Sequence, residues 1–154
     1  MRYNGRMNSS QQLRTKKATP FVKWVGGKRS IMPTLISRLP ETFNHYYEPF
    51  TGGGALFFEL SPQLTRAYLS DTNFHLAITY KVIQRNVNEL IKKLRIHKEK
   101  HNKDYYYNIR KLGKQRKEDY LQDPIDIAAR FIYLNKTCFN GLWRVNSKGD
   151  FNVP

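Results

Sequence analysis

An alternating α/β fold of doubly wound type is the expectation for this chain, and three observations predict it. A short aromatic run, HYYEPF, leads into a glycine turn, TGGG, and then into the helix-like run ALFFELS. A second short apolar run, AYLSD, follows at 67–71. Strand, glycine turn, helix and strand in that order open a βαβ unit. The third observation is an acid, Asp71, ending the second strand about twenty residues past the turn, where dinucleotide-type folds accept ribose hydroxyls.

Composition bounds the rest. A chain of 154 residues that is 40% hydrophobic and 14% aromatic builds one domain with a real core. Lys plus Arg is 27 against 12 for Asp plus Glu, a net charge of +15. Such a charge selects an anionic partner, with nucleic acid the first candidate and an anionic membrane surface or a ribosomal setting still open. No run approaches the ~20 apolar residues of a membrane span. One cysteine, Cys138, cannot form an internal disulfide, so the expectation is a soluble cytoplasmic protein rather than a stapled secreted one.

The elements follow in order. Residues 1–20 carry Arg2, Arg6, Arg14, Lys16 and Lys17 and no acid, and read as a flexible basic arm; Met7 is a candidate start. Order is expected from Phe21, with FVKWVGGKRS forming an apolar piece and a glycine turn. A helix with Ile31, Leu35 and Leu39 on one face follows; Pro33 fits its first turn and Pro40 ends it. From His75, the positions Leu76, Tyr80, Ile83, Val87, Leu90 and Leu94 make one helical face, with a break expected at Asn86, which has capping-box spacing to Glu89. The stretch 92–118 holds eleven basic residues against Glu99, Asp104 and Glu118, interleaved with Tyr105, Tyr106 and Tyr107. Asp123-Pro124 is a cap followed by a first-turn proline, opening a helix that buries Ile127, Phe131 and Leu134. LWRVNSKGDFNVP reads as a hairpin around Ser147-Lys148-Gly149-Asp150.

Several residues carry two readings each. Phe50-Thr51-Gly52-Gly53-Gly54 is either a plain βα turn or a loop whose backbone approaches a ligand closely. Asp71 is a ribose acceptor or a helix cap, and Glu48 a site acid or a surface carboxylate. Lys28 follows Gly26-Gly27, but Arg29 stands where a phosphate-binding loop needs Ser or Thr and the first glycine is missing, which disfavours nucleotide triphosphate hydrolysis. Lys28 is then a donor to a cofactor or a solvated lysine, and Trp24 a stacking platform or a core aromatic. In Asn140-Gly141-Leu142-Trp143-Arg144, Arg144 is a guanine reader or a surface charge, and Phe139 a wedge between base pairs or a core ring. The basic stretch is a phosphate-contacting face or solvated helix charge.

FVKWVGGKRS, YYEPFTGGGALFFEL, YLSD and ARFIYLNKTCFNGLWRVNSKGDFNVP together resemble the Dam-type DNA adenine-N6 methyltransferases, above all the GATC-methylating members, including those of restriction–modification systems. The resemblance runs from Phe21 to Pro154 and rests on several motifs in the same order. It implies S-adenosylmethionine as methyl donor, duplex DNA as partner and no metal. Trp24 and Lys28 fall on a KWxGGK motif, Phe50, Gly52 and Gly54 on F-x-G-x-G with Glu48 before it, and Asp71 on the ribose-holding acid. Phe139, Asn140, Leu142 and Arg144 fall on the site-reading loop and hairpin, with Phe139 as wedge and Arg144 as guanine reader. The implied fold is an incomplete Rossmann-like domain, with donor-binding motifs in 21–74 and an inserted helical and hairpin target-recognition region in 75–154.

One departure matters: the family's catalytic Asp-Pro-Pro-Tyr does not occur, and Asp123-Pro124-Ile125 is not it. Adenine's exocyclic amine is a weak nucleophile because its lone pair is delocalised into the ring. In that motif a carboxylate and a carbonyl accept its hydrogens and an aromatic stacks the flipped base. The sequence therefore predicts the N-terminal part of such an enzyme, inactive alone and leaving a strand edge open. The alternatives are a non-catalytic DNA- and cofactor-binding remnant that needs a second polypeptide, and a basic RNA-associated module.

Overall fold

The computed structural model describes residues 17–43, 45–112 and 123–154. The first sixteen residues of the basic arm, and Lys114, Arg116, Lys117 and Glu118 of the basic stretch, lie outside them.

The expected βαβ opening is present. Strand β1 (Tyr46–Glu48) and strand β2 (Ala67–Leu69) pair in parallel, Tyr46 against Ala67 and Glu48 against Leu69. Helix α2 (Ala55–Leu60) and a 3₁₀ turn at Ser61–Gln63 make the crossover. The pairing continues beyond the strands: Ser70 N donates to Glu48 O and Thr51 N to Ser70 O, each at 3.0 Å. Tyr46 and Glu48 point inward while Tyr47, between them, is exposed, the period-two alternation of a strand covered on one face. On the outer face Tyr47 and Tyr68 stack at 4.8 Å.

The first helix differs from its expected form. A 3₁₀ turn, Lys28–Ile31, precedes α1 (Met32–Ile36), and Pro33 sits in the first helical turn as anticipated. Ile31 is 51% exposed. It belongs to the three-residue winding of the 3₁₀ turn, so it does not share the α-helical face of Leu35.

Helix α3 (Phe74–Glu99) carries the core. Asn73 caps it, its side chain accepting from Leu76 N at 3.0 Å. Asn86 leaves helical geometry (φ −136°, ψ 35°), so the break falls where the sequence placed it. Past the kink Val87 is 43% exposed, and before it Val82, outside the expected set, is buried with Leu76 and Leu90. Helix α4 (Lys103–Lys111) is capped by Asn102, and α5 (Pro124–Thr137) by Asp123, whose carboxylate accepts from Ile125 N. Ile127, Phe131 and Leu134 are buried as expected.

Two clusters make up the interior. One joins Val22, Leu76, Val82 and Leu90 to Ala128, Phe131 and Ile132. The other joins Tyr106 and Ile109 to Tyr133, Leu134, Phe151 and Val153. Arg130 is buried between α4 and α5 and donates to Ile109 O (2.9 Å) and Arg110 O (3.0 Å), satisfying carbonyls at the end of α4. The C-terminal hairpin is a tight loop with one bridge, Val145 to Phe151. The Asn146 side chain accepts from Lys148 N and Asp150 N to close it.

Candidate functional site: a glycine-turn cleft beside a basic hairpin

The turn after β1 is built by glycines. Gly52 (φ 53°) and Gly54 (φ 72°) occupy the left-handed region, which a side chain rarely adopts. A Cβ on Gly52 would lie 2.8 Å from Trp24 Cδ1, and one on Gly54 would run into the Tyr80 hydroxyl and the Phe58 ring. Thr51, 3% exposed, ties the strand ends together through Oγ1, which reaches Glu48 O (2.9 Å) and Ser70 O (3.0 Å). Tyr80 Oη donates to Gly52 O at 3.2 Å. Burial, with the Glu48 and Asp71 charges, pushes the Tyr80 phenol well above its ordinary range, so it is a neutral donor.

Asp71 faces this turn. Gly52 N donates to its Oδ2 (2.8 Å) and Asn73 N to its Oδ1 (2.9 Å). Asn73, not Asp71, caps α3. A carboxylate accepts about four hydrogen bonds, so each Asp71 oxygen keeps acceptor capacity after these two.

Trp24, Lys28, Phe50, Gly52 and Asp71 line one cleft of about 840 Å³, together with Gly53 and Lys136, a size that suits a small-molecule site. Trp24 is both of the things its sequence reading allowed. It packs toward Phe131 (centroids 6.2 Å apart) and walls the glycine turn. Glu48 lies behind that cleft, in an adjoining cavity of about 430 Å³ that shares Lys28 and Phe50 with it. Glu48 is 5% exposed and its carboxylate oxygens have no aligned hydrogen bond. The Lys28 ammonium at 3.0 Å balances its charge while donating to Phe50 O at 2.8 Å. Burial and the Glu48 carboxylate beside it hold the Tyr46 phenol far above its usual range. Gly54 does not line the cleft; it starts α2 under Tyr80.

The second group of residues forms a turn after α5. Phe139 is exposed at 61%, and Asn140 holds a left-handed backbone (φ 52°). Leu142 packs on the second core cluster. Arg144 is exposed, its Nε donating to Asn152 Oδ1 at 2.8 Å across the hairpin. Trp143, between them, faces inward onto Phe131 (4.6 Å) and His75 (5.1 Å). Phe139 is therefore not a core ring, and Arg144 projects from a braced hairpin.

Asn135 escaped the sequence reading. It is 1% exposed, and its side chain accepts from Lys23 N (3.0 Å) and donates to Lys23 O (2.9 Å) and Gly141 O (2.8 Å). An Asn in a helix gives no sequence signal here, because Lys23, which it holds through two bonds, lies 112 residues away in the chain. Among the described residues no group of three or more His, Cys, Asp or Glu is placed to hold a metal, and no helix is long and apolar enough to cross a membrane.

Comparison with known proteins adds the family. Residues 24–154 match the family described as D12 class N6 adenine-specific DNA methyltransferase. Over 135 residues the chain is 44% identical to the type II methyltransferase M1.LlaDCHI of Lactococcus lactis subsp. cremoris, covering 88% of this chain and 46% of that protein. It is 40% identical to the type II methyltransferase M.MjaIII of Methanocaldococcus jannaschii, covering 88% of this chain and 51% of that protein. With the DNA adenine methylase of Escherichia coli K12 the identity is 33%, covering 90% of this chain and 48% of that protein. The chain thus spans about half the length of the curated relatives it matches. A match over residues 24–154, together with relatives of these names, places this chain in the D12 class of N6 adenine-specific DNA methyltransferases.

Proposed function

We propose that this chain supplies the methyl-donor seat and the duplex-reading hairpin of a site-specific DNA adenine-N6 methyltransferase acting on GATC. The donor is S-adenosylmethionine, which supplies an electrophilic methyl group on a sulfonium. In this reading residues 21–74 are the donor-binding part of a Rossmann-like domain. Residues 75–154 are an inserted target-recognition region, and 1–20 a basic arm.

The convergence of Asp71 and the glycine turn with Trp24, Lys28 and Phe50 on one cleft carries the reading. The cleft's chemistry matches the donor's. Asp71 has acceptor capacity left for two ribose hydroxyls. Lys28, already paired with Glu48 and Phe50 O, puts a cation at the cleft wall for the donor's carboxylate, while Glu48 backs that lysine from the adjoining cavity. Trp24 and Phe50 offer rings to a planar base, while Gly52 and Gly54 let the backbone turn tightly enough to leave room.

The hairpin provides the reading head. Arg144 keeps guanidinium donors free of Asn152 for the O6 and N7 of a guanine, and the exposed Phe139 ring suits insertion between base pairs. Asn140 and Leu142 complete the turn, Leu142 by anchoring it. The net charge of +15 supplies nonspecific phosphate attraction.

Asp-Pro-Pro-Tyr does not occur among the 154 residues. Methyl transfer by this chain alone is therefore expected to be negligible, and to return when a complementing polypeptide carrying the motif is supplied. Tritiated-methyl transfer to a GATC duplex tests both halves; robust incorporation by the chain alone contradicts the first.

A further inference from the structure

The donor cleft and the recognition turn share one buried side chain. Asn135, on α5, holds the backbone of Lys23 through both its N–H and its C=O, and the same amide nitrogen donates to Gly141 O. Lys23 is the neighbour of Trp24 and lines the cleft; Gly141 is the neighbour of Asn140 and Leu142. The fit is tight on both sides. A Cβ on Gly141 (φ 68°) would lie 2.7 Å from Lys23 Cβ and 3.1 Å from Asn135 O. Behind this contact the rings form a continuous string: Trp24 to Phe131 at 6.2 Å, Phe131 to Trp143 at 4.6 Å, and Trp143 to His75 at 5.1 Å. Among the described residues His75 Nδ1 and Trp143 Nε1 are buried without hydrogen-bond partners, so these two atoms add no directional bond to the string, whereas Asn135 supplies three.

We infer that Asn135 is a positioning residue that makes donor binding and duplex binding interdependent, by fixing the cleft wall at Lys23 and the recognition turn at Gly141 to one amide. The inference rests on the proposed donor seat and reading hairpin. A ligand that orders either segment pre-orders the other, since neither can move without breaking a bond to the same buried group. Burial makes that break costly, because it strands polar atoms away from water. Linkage requires the effect to be reciprocal.

The test measures S-adenosylmethionine affinity for the full chain with and without a saturating GATC duplex, in the parent and in Asn135→Asp. The substitution keeps the acceptor for Lys23 N and removes both donations. The parent is expected to bind the donor at least about fivefold more tightly with duplex present, a coupling within the ordinary range. In Asn135→Asp that ratio falls to about one, whatever the separate affinities become, and a merely structural loss would not change the ratio in this way. An unchanged ratio in the variant overturns the inference, as does a ratio of one in a parent that binds both ligands. A parent that binds neither ligand instead overturns the donor-and-duplex reading, and the inference with it. Should Asn135→Asp not fold, exchange of the Lys23 amide in the parent decides, because that N–H is donated to the Asn135 side chain. Duplex without donor is expected to slow it by about fivefold, and unchanged exchange overturns the inference.

Discussion

At the scale of single residues, Asp71, Arg144 and His75 each make a separable prediction. Asp71 holds Gly52 N with one oxygen and Asn73 N with the other. Asp71→Ala is expected to weaken S-adenosylmethionine binding at least about tenfold, the order of one or two lost hydrogen bonds to a charged acceptor. Nonspecific duplex binding stays intact, as gel shifts on unrelated DNA would show. Arg144→Ala is expected to relax discrimination at one guanine by about 1–3 kcal/mol. Competition between GATC and singly substituted duplexes checks this; equal weakening on all sequences makes Arg144 a phosphate contact instead. His75 is 3% exposed, and burial, reinforced by the Arg130 charge, lowers its pKa from 6.5 to about 4. Its folded state therefore resists protonation that the unfolded chain accepts. The stability this represents is present above the unfolded pKa and is lost as pH falls from about 6.5 toward 4, by up to about 3 kcal/mol. Urea denaturation across that interval should show the slope, and His75→Leu should flatten it.

At the scale of elements, the glycine turn is the demanding piece. Gly54→Ala places a methyl group against the Tyr80 hydroxyl at a positive φ, and is expected to destabilise the chain by about 1–3 kcal/mol. Part of this should be recovered in a Tyr80→Phe background, because the obstructing oxygen is gone. A denaturation double-mutant cycle measures that coupling, and strict additivity would remove Tyr80 from the account. The βαβ opening, the Asn86 kink and the Asp123 cap were all legible in the sequence, because each depends on local chemistry: strand alternation around a glycine turn, a residue that prefers caps, a proline at a helix start. Ile31 and Val87 were misplaced for a shared reason. Ile31 lies in a 3₁₀ turn and Val87 just past a kink, and a fixed period carried across such a change of winding assigns the wrong face. Within the candidate site, Trp24, Lys28, Phe50, Gly52 and Asp71 were legible as motif residues. Asn135 and Tyr80 were not, since their bonds to Lys23 and Gly52 exist only once distant segments meet.

At the scale of the whole molecule, charge and packing divide the work. Lysines and arginines are exposed along α3 and α4 while the interior is two apolar clusters, and the net charge of +15 is carried on one short chain. Nonspecific duplex affinity is accordingly expected to fall at least about tenfold between roughly 50 and 200 mM salt, as counterion release requires. A flat salt dependence in gel-shift titrations would argue against phosphate contacts as the source of affinity. The shared Asn135 bonds and the Trp24–Phe131–Trp143 packing make the two candidate surfaces parts of one body rather than separate modules.

The most direct test is a calorimetric titration of S-adenosylmethionine into the folded chain, run in parallel with Asp71→Ala. A saturable single-site heat that weakens at least about tenfold in the variant is the expected result. No heat from the folded parent, or identical isotherms for parent and variant, would contradict the claim that the turn at 51–54 and the carboxylate at 71 together hold the methyl donor.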